Sequence, residues 1–211
     1  MSAPKVYVGQ TRSAALIERL CEMRFGEMTC RGEFPPRRSP WAFDNGAFGD
    51  WKAQRPFDGE RFWKDIRAIG SADRAPDFIV CPDIVAGGLE SLAFSLTWRP
   101  HLATIAPLYL AVQDGMVDAD VVPHLEGFAG LFVGGTLPWK LRSAREWVRL
   151  AHRHGIKAHV GRVGTERRVA WARRIGADSI DSCLPLWSEE NLERFLRGLG
   201  PRHPELALEA A

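Results

Sequence analysis

Short apolar runs along this chain end repeatedly in a polar or glycine-marked residue. The clearest five are Trp41-Ala-Phe-Asp44-Asn45-Gly46, Phe78-Ile-Val-Cys-Pro82-Asp83, Leu110-Ala-Val-Gln113-Asp114-Gly115, Leu131-Phe-Val-Gly134-Gly135 and Ser179-Ile180-Asp181-Ser182. Apolar runs of this length, bounded by turn residues, predict buried strands. Further strands are expected at 6–9 and 158–160. Between the strands the apolar spacing switches to a helical period, as with Leu16, Ile17, Leu20 and Met23 in residues 13–25. Helices are predicted at 59–69 behind an Asp58 cap, at 88–97, at 138–154, at 165–175 and at 188–199, with a weak one at 118–125. Pro138 and Ser188 suit the first positions of their helices.

Seven strand–helix units follow one another without an internal linker. The eighth strand either lies within 26–34 or is absent. Strict alternation of this kind predicts an α/β fold: a TIM-type (β/α) barrel of parallel strands, complete or one unit short. An open doubly wound sheet is the alternative; a Rossmann nucleotide site is disfavoured, because no GxGxxG follows a strand. The 211 residues read as one domain, with a core at about 6–199 and a frayed, Ala- and Pro-rich tail at 200–211.

Apolar residues make up 45% of the chain and charged residues 26%, which excludes a disordered chain. No apolar run approaches the roughly 20 residues that span a bilayer, and the first residues lack a signal-peptide core, so a cytoplasmic protein is expected. Cys21, Cys30, Cys81 and Cys183 show no metal-binding or redox spacing and read as reduced thiols buried near the elements. The net charge is only +2, yet residues 157–174 hold Lys157, Arg162, Arg167, Arg168, Arg173 and Arg174 against the single acid Glu166. Such a stretch is either a phosphate-holding patch or a solvated helix face.

In parallel barrels the C-terminal strand ends converge on one mouth, where the chemistry sits. Asp44, Asp83, Gln113 and Asp181 all follow apolar strand cores and are predicted to meet there. A carboxylate at a strand end suits covalent or acid–base work; each of these aspartates also has a plainer reading, as a helix cap, an Asx turn or a loop residue. Gln113 offers a donor and an acceptor to a flat polar edge or is a satisfied core amide. Gly134 and Gly135 permit close backbone approach to a ligand or a tight turn. His159 is a buried barrel residue or, with Lys140 and Arg162, a contact to phosphate. Most of the eight tryptophans fall on helix faces; Trp139, beside Lys140, is the candidate for stacking on a base.

Six motifs occur in order: Asp44-Asn-Gly-Ala-Phe48, Pro82-Asp83, Val112-Gln113-Asp-Gly115, Phe132-Val-Gly-Gly135 with Trp139-Lys140, His159-Val-Gly-Arg162-Val, and Gly176-Ala-Asp178-Ser-Ile-Asp181. As a set they resemble the deoxypurine-in-DNA protein A family, the DNA-acting relatives of tRNA-guanine transglycosylase, over about residues 6–199. The resemblance implies a barrel enzyme that exchanges guanine in a polynucleotide for a free 7-deazaguanine base such as 7-cyano-7-deazaguanine (preQ0). Asp181 matches the family's nucleophile and Asp44 its proton-handling aspartate. Asp83, Gln113, Gly134 and Gly135 match positions that contact the base. The sequence departs from the tRNA enzymes at Asp-Asn-Gly-Ala and Gln-Asp-Gly, and it lacks their Cys-rich zinc segment, which favours DNA over tRNA as partner.

The implied reaction requires no metal and no organic cofactor. The target base must be flipped from its stack, alone or with an accessory protein that opens the duplex. Two other classes compete: a barrel enzyme acting on a phosphorylated small molecule held near Arg162, and a non-catalytic nucleic-acid-binding subunit.

Overall fold

The structure, a computed structural model, describes residues 3–200. Apart from Gly200, the expected tail lies outside the described residues. The elements run β1 (Lys5–Gly9), α1 (Ala14–Glu22), β2 (Gly26–Cys30), β3 (Trp41–Asp44), α2 (Ala47–Lys52), α3 (Gly59–Gly70), β4 (Ile79–Val80), α4 (Gly88–Leu102) and β5 (Leu108–Val112). They continue with α5 (Asp118–Val121), β6 (Gly130–Val133), α6 (Leu137–Arg153), β7 (Lys157–Val160), α7 (Glu166–Ile175), β8 (Ser179–Ser182) and α8 (Glu189–Leu199). All eight strands are parallel, and β8 pairs back onto β1 with Tyr7 opposite Asp181, so the barrel is closed and complete. Among the described residues no helix is long and apolar enough to cross a membrane.

The helices start where short polar side chains occupy the free N–H groups of the first turn. Ser13 accepts from the Leu16 N–H, Asp58 from Arg61, Thr165 from Arg168 and Ser188 from Asn191, each such cap contributing about 1 kcal/mol. Apolar helix faces then close over the outer face of the barrel, with Phe62 and Ile66 from α3, Trp147 and Val148 from α6, and Leu192 and Phe195 from α8. Inside the barrel lies a second layer of Tyr7, Met28, Ala42, Phe78, Val80, Tyr109, Ala111 and Phe132. Phe78 stacks on Tyr109 with ring centres 4.0 Å apart. Because side chains alternate along a strand, the residues two further on from Ala42, Ala111 and Ser179 share that interior face. Those residues are Asp44, Gln113 and Asp181, at the C-terminal mouth.

The eighth strand is β2, within the 26–34 window. Its sequence, Gly-Glu-Met-Thr-Cys, places Glu27 and Thr29 on the outer face, where the other strands carry apolar residues. The physical reason is a missing helix: strict alternation fails between β2 and β3, which are joined by the irregular segment 31–40. Arg38 folds back from that segment and donates to the carbonyls of Val8, Gly9 (3.1 Å) and Gly26 (3.3 Å). It pairs with Glu27 at 3.2 Å, and both side chains are essentially inaccessible. Glu27 Oε1 also accepts from Gln10 (3.2 Å), Thr29 (3.0 Å) and the Arg37 N–H (3.1 Å). A buried ion pair thus takes the place of a helix, and removing one partner would cost about 3–5 kcal/mol.

Candidate active site at the barrel mouth

Asp181 sits in β8 with 9% of its surface exposed. Its Oδ1 accepts from His159 Nε2 at 2.9 Å and from the Arg162 N–H at 3.0 Å. Oδ2 accepts nothing from the described residues and is not sealed from solvent. Burial alone would raise this carboxyl. The hydrogen bond and charge of His159, the Arg162 N–H and the Lys140 ammonium outweigh it and hold Asp181 below the ordinary carboxylate value. Behind Asp181, His159 Nδ1 meets Ser179 Oγ at 2.9 Å, and the imidazole stacks on Phe132 with centres 4.9 Å apart. A Ser–His–Asp row of this kind is not a nucleophilic-serine triad. Ser179 lies beneath the histidine at 5% exposure, and it is the carboxylate that faces the mouth.

Asp44, the last residue of β3, is half-buried, and its Oδ1 accepts the Gly46 N–H at 2.8 Å. The Asx turn and the site role are therefore compatible: the turn aims the carboxyl. Burial first, then the nearby Asp181 charge, raises Asp44 above its ordinary value against the opposing Gly46 N–H, Arg162 and His159. Two carboxyl groups at one mouth are thus pushed in opposite directions, the pattern by which an ionised group and a protonated one share a site.

Asp83 lies 6% exposed beyond β4. Asn45 Nδ2 donates to its Oδ1 at 2.7 Å, and Gln113 Nε2 donates to its Oδ2. Burial raises this carboxyl to about 7; the Asp44 charge adds to the effect, while the Asn45 and Gln113 amides and Arg162 oppose it. Asn45 also donates to the Cys81 carbonyl at 2.9 Å and accepts the Ala47 N–H at 2.7 Å, tying the ends of β3 and β4 together. Gln113 is 1% exposed, and its Oε1 accepts the Ala86 N–H at 3.2 Å. Both ends of the amide are engaged within the protein, where Gln113 orients Asp83.

The glycine pair, Lys140 and Arg162 make contacts within the protein, and His159 is the buried, hydrogen-bonded barrel residue of its first reading. A Cβ on Gly134 would come within 2.8 Å of Gln113 Nε2, and one on Gly135, at φ +68°, within 2.7 Å of the Trp139 ring. These glycines make room for protein side chains. Trp139 itself packs against the core and Trp147. His159, with no exposed surface, does not reach a phosphate; it supports Asp181. Lys140 is 3% exposed and donates to the Gly161 carbonyl, and burial followed by Arg162 repulsion lowers its ammonium to about 7. It braces the turn that presents Arg162. Arg162 is half-buried at φ +57°, with its guanidinium 3.8 Å from the Phe48 ring centre and its charge facing Asp181, Asp44, Asp83 and Asp114. Its guanidinium donates to the Gly135 carbonyl.

The basic run does not form a single patch. Lys157, at the start of β7, pairs with Asp178, and Arg173, in the last turn of α7, donates to the Leu199 carbonyl; both lie at the end of the barrel away from the mouth. Arg167, Arg168 and Arg174 instead line a cleft of about 730 Å3 along α7, with Trp171, Leu141 and Arg197. Of the four cysteines, only Cys81 is buried; Cys21 and Cys183 are exposed. Among the described residues no cluster of three or more His, Cys, Asp or Glu side chains is arranged to hold a metal.

Sequence reasoning missed Asn45, Ser179 and the short helix α2. The signal for Asn45 was its place between Asp44 and Gly46; that for Ser179 was its alternation with Asp181 on one strand face. The fold and site define a TIM-type barrel with a carboxylate-lined mouth. Comparison with protein-family models and with curated proteins finds no match for this chain.

Proposed function

We propose that this barrel is a pentosyltransferase that exchanges guanine in DNA for a free 7-deazaguanine base such as preQ0. The observation that carries the reading is the divergent pair at the mouth: Asp181 held ionised with one oxygen free, and Asp44 held towards its protonated form. Base exchange at a sugar C1′ needs these two roles. Asp181 Oδ2 attacks C1′ as the C1′–N9 bond breaks, through an oxocarbenium-like state, giving an aspartyl–sugar ester. Asp44 delivers a proton to the departing guanine and takes the N9 proton of the incoming base. That base then displaces Asp181 from C1′, restoring the free carboxylate. No cofactor enters this scheme. Asp83, its two carboxyl oxygens oriented by the Asn45 and Gln113 amides, accepts from the N1–H and exocyclic amine of a guanine-like base.

The choice of a polynucleotide rests on the resemblance and is supported by the arginine-lined cleft beside α7. The preference for DNA over tRNA rests on the resemblance alone. A phosphorylated small molecule at Arg162 is the weaker reading, because that guanidinium already faces four carboxylates and donates to Gly135. The test is incubation of the chain with guanine-labelled DNA or tRNA and unlabelled preQ0, followed by nucleoside mass spectrometry. Release of label with appearance of the deazaguanine nucleoside in DNA supports the proposal. Exchange in tRNA alone redirects it to RNA, and no exchange in either polymer overturns it.

A further inference from the structure

Among the described residues, Phe48, Trp51, Ile84, Leu89, Val117 and Trp187 are exposed large apolar side chains in the segments that follow the strands. The mouth is therefore rimmed with apolar surface. One part of that rim is built as a plate. Phe48 and Trp51, one turn apart on α2, stack with ring centres 5.6 Å apart and planes 28° from parallel, and Trp51 is 47% exposed. Arg162 covers Phe48 from the mouth side at 3.8 Å. Since the Arg162 N–H also holds Asp181, a single residue connects the proposed nucleophile to the aromatic pair.

We infer that the Phe48–Trp51 pair is a stacking platform for the unpaired base next to the target nucleotide. The inference rests on the polynucleotide reading above. A flat, partly exposed indole continuing a cation–aromatic stack suits a nucleobase, and such stacking is tolerant of sequence because every base has a π-face. The surrounding charge is positive and fits a nucleic-acid strand. Lys52 follows Trp51 directly and has no ion-pair partner among the described residues, and Arg55 is 68% exposed while reaching Asp50 at 3.5 Å. The only nearby acid on the helix, Asp50, is buried and paired with Arg31 at 2.5 Å. A flipped target base needs its neighbour held once their mutual stacking is lost. Trp51 replaces the lost stacking partner.

The test uses short single-stranded DNA with one guanine, intact or with an abasic site on its 5′ or 3′ side, and compares the full chain with Trp51→Ala and Trp51→Phe. The wild type is expected to bind one of the two abasic strands roughly tenfold more weakly than the intact strand. Trp51→Ala should lose a similar factor on the intact strand and nothing further on that abasic strand, while Trp51→Phe keeps most of the affinity. Base exchange by the wild type, measured in parallel, separates the two ideas. If Trp51→Ala keeps wild-type affinity and the full abasic penalty while the wild type exchanges bases, the platform is wrong and the exchange reading stands. If the platform pattern appears without exchange, the reverse holds. If the wild type binds no strand, both fall. If sedimentation shows that Trp51→Ala converts a dimer to a monomer and strand affinity is unchanged, the rings are a self-association surface and the inference is overturned.

Discussion

Asp181 and Asp83 are the same residue type at the same mouth, with burial the largest influence on each, yet they are driven in opposite directions. Asp181 receives a histidine, a backbone N–H and a nearby ammonium, and stays ionised. Asp83 receives two neutral amides, and burial lifts it to about 7. Neutral donors orient a carboxylate and compensate its charge less than cationic ones do. Burial therefore sets the cost, and the partners set the role. In the proposed mechanism the first becomes a nucleophile and the second a reader of the base.

The strongest way to break this comparison is Asp181→Asn. The amide keeps the shape of the side chain but removes the charge and the nucleophilic oxygen, so exchange should fall by on the order of 10⁴-fold or more while folding survives. Near wild-type exchange in a rate assay would remove Asp181 from the chemistry. Asp44→Asn should cost roughly 10²–10⁴-fold, the usual worth of a positioned acid–base group, and should abolish the alkaline limb of the rate profile. The sign follows from the raised Asp44: the wild type needs it protonated, so activity falls as pH rises through its folded value. An alkaline limb unchanged in the variant would assign proton transfer elsewhere.

Replacing His159 by Phe keeps the stack on Phe132 but deletes the hydrogen bonds to Asp181 and Ser179. A lost hydrogen bond to a charged group, about 1.5–3 kcal/mol, predicts a roughly 10- to 100-fold drop in rate. The telling readout is the acid limb. Asp181 must be ionised, so activity falls as pH drops through its lowered value, and His159→Phe should move that limb to higher pH. An unmoved limb would make His159 packing alone.

The Asp83 half sharpens the comparison through substrate affinity. A carboxylate that accepts two donors from the base must be ionised, so KM for the free base should rise as pH falls below about 7. Asn45→Leu removes a donor that opposes the rise, and should shift that dependence to higher pH. A KM independent of pH between about 6 and 8 would deny Asp83 the reading role. The smallest effect is expected in the α7 cleft. Neutralising Arg168 should lower the slope of log affinity against log salt by about 1 if it meets a phosphate, and leave it unchanged if it lines a solvated face.

The barrel was legible because its strands alternate apolar runs with polar ends, and Asp44, Asp83 and Asp181 all reach the mouth for that reason. The second strand was not, because Glu27 and Thr29 face a gap filled by Arg38 instead of a helix, which reverses the apolar signal. The partners of the site were harder than its carboxylates. Gln113 and Lys140 look like surface chemistry in a linear sequence, but their burial depends on Asp83 in one strand loop and Gly161 in another. Local spacing carries no trace of such contacts. The basic run failed as a patch for a geometric reason: a strand and an antiparallel helix bring its two ends, Lys157 and Arg173, to the end of the barrel away from the mouth, while Arg162 between them sits at the mouth.

The central claim is a covalent bond between Asp181 and the sugar, and intact-protein mass spectrometry tests it most directly. The wild type, held with a short guanine-containing DNA and no incoming base, is denatured in acid and digested. The account predicts a population heavier by the strand minus guanine, with the added mass on the peptide carrying Asp181, absent from Asp181→Asn and lost when preQ0 is supplied. Base exchange without any such adduct, or an adduct retained in Asp181→Asn, would contradict it.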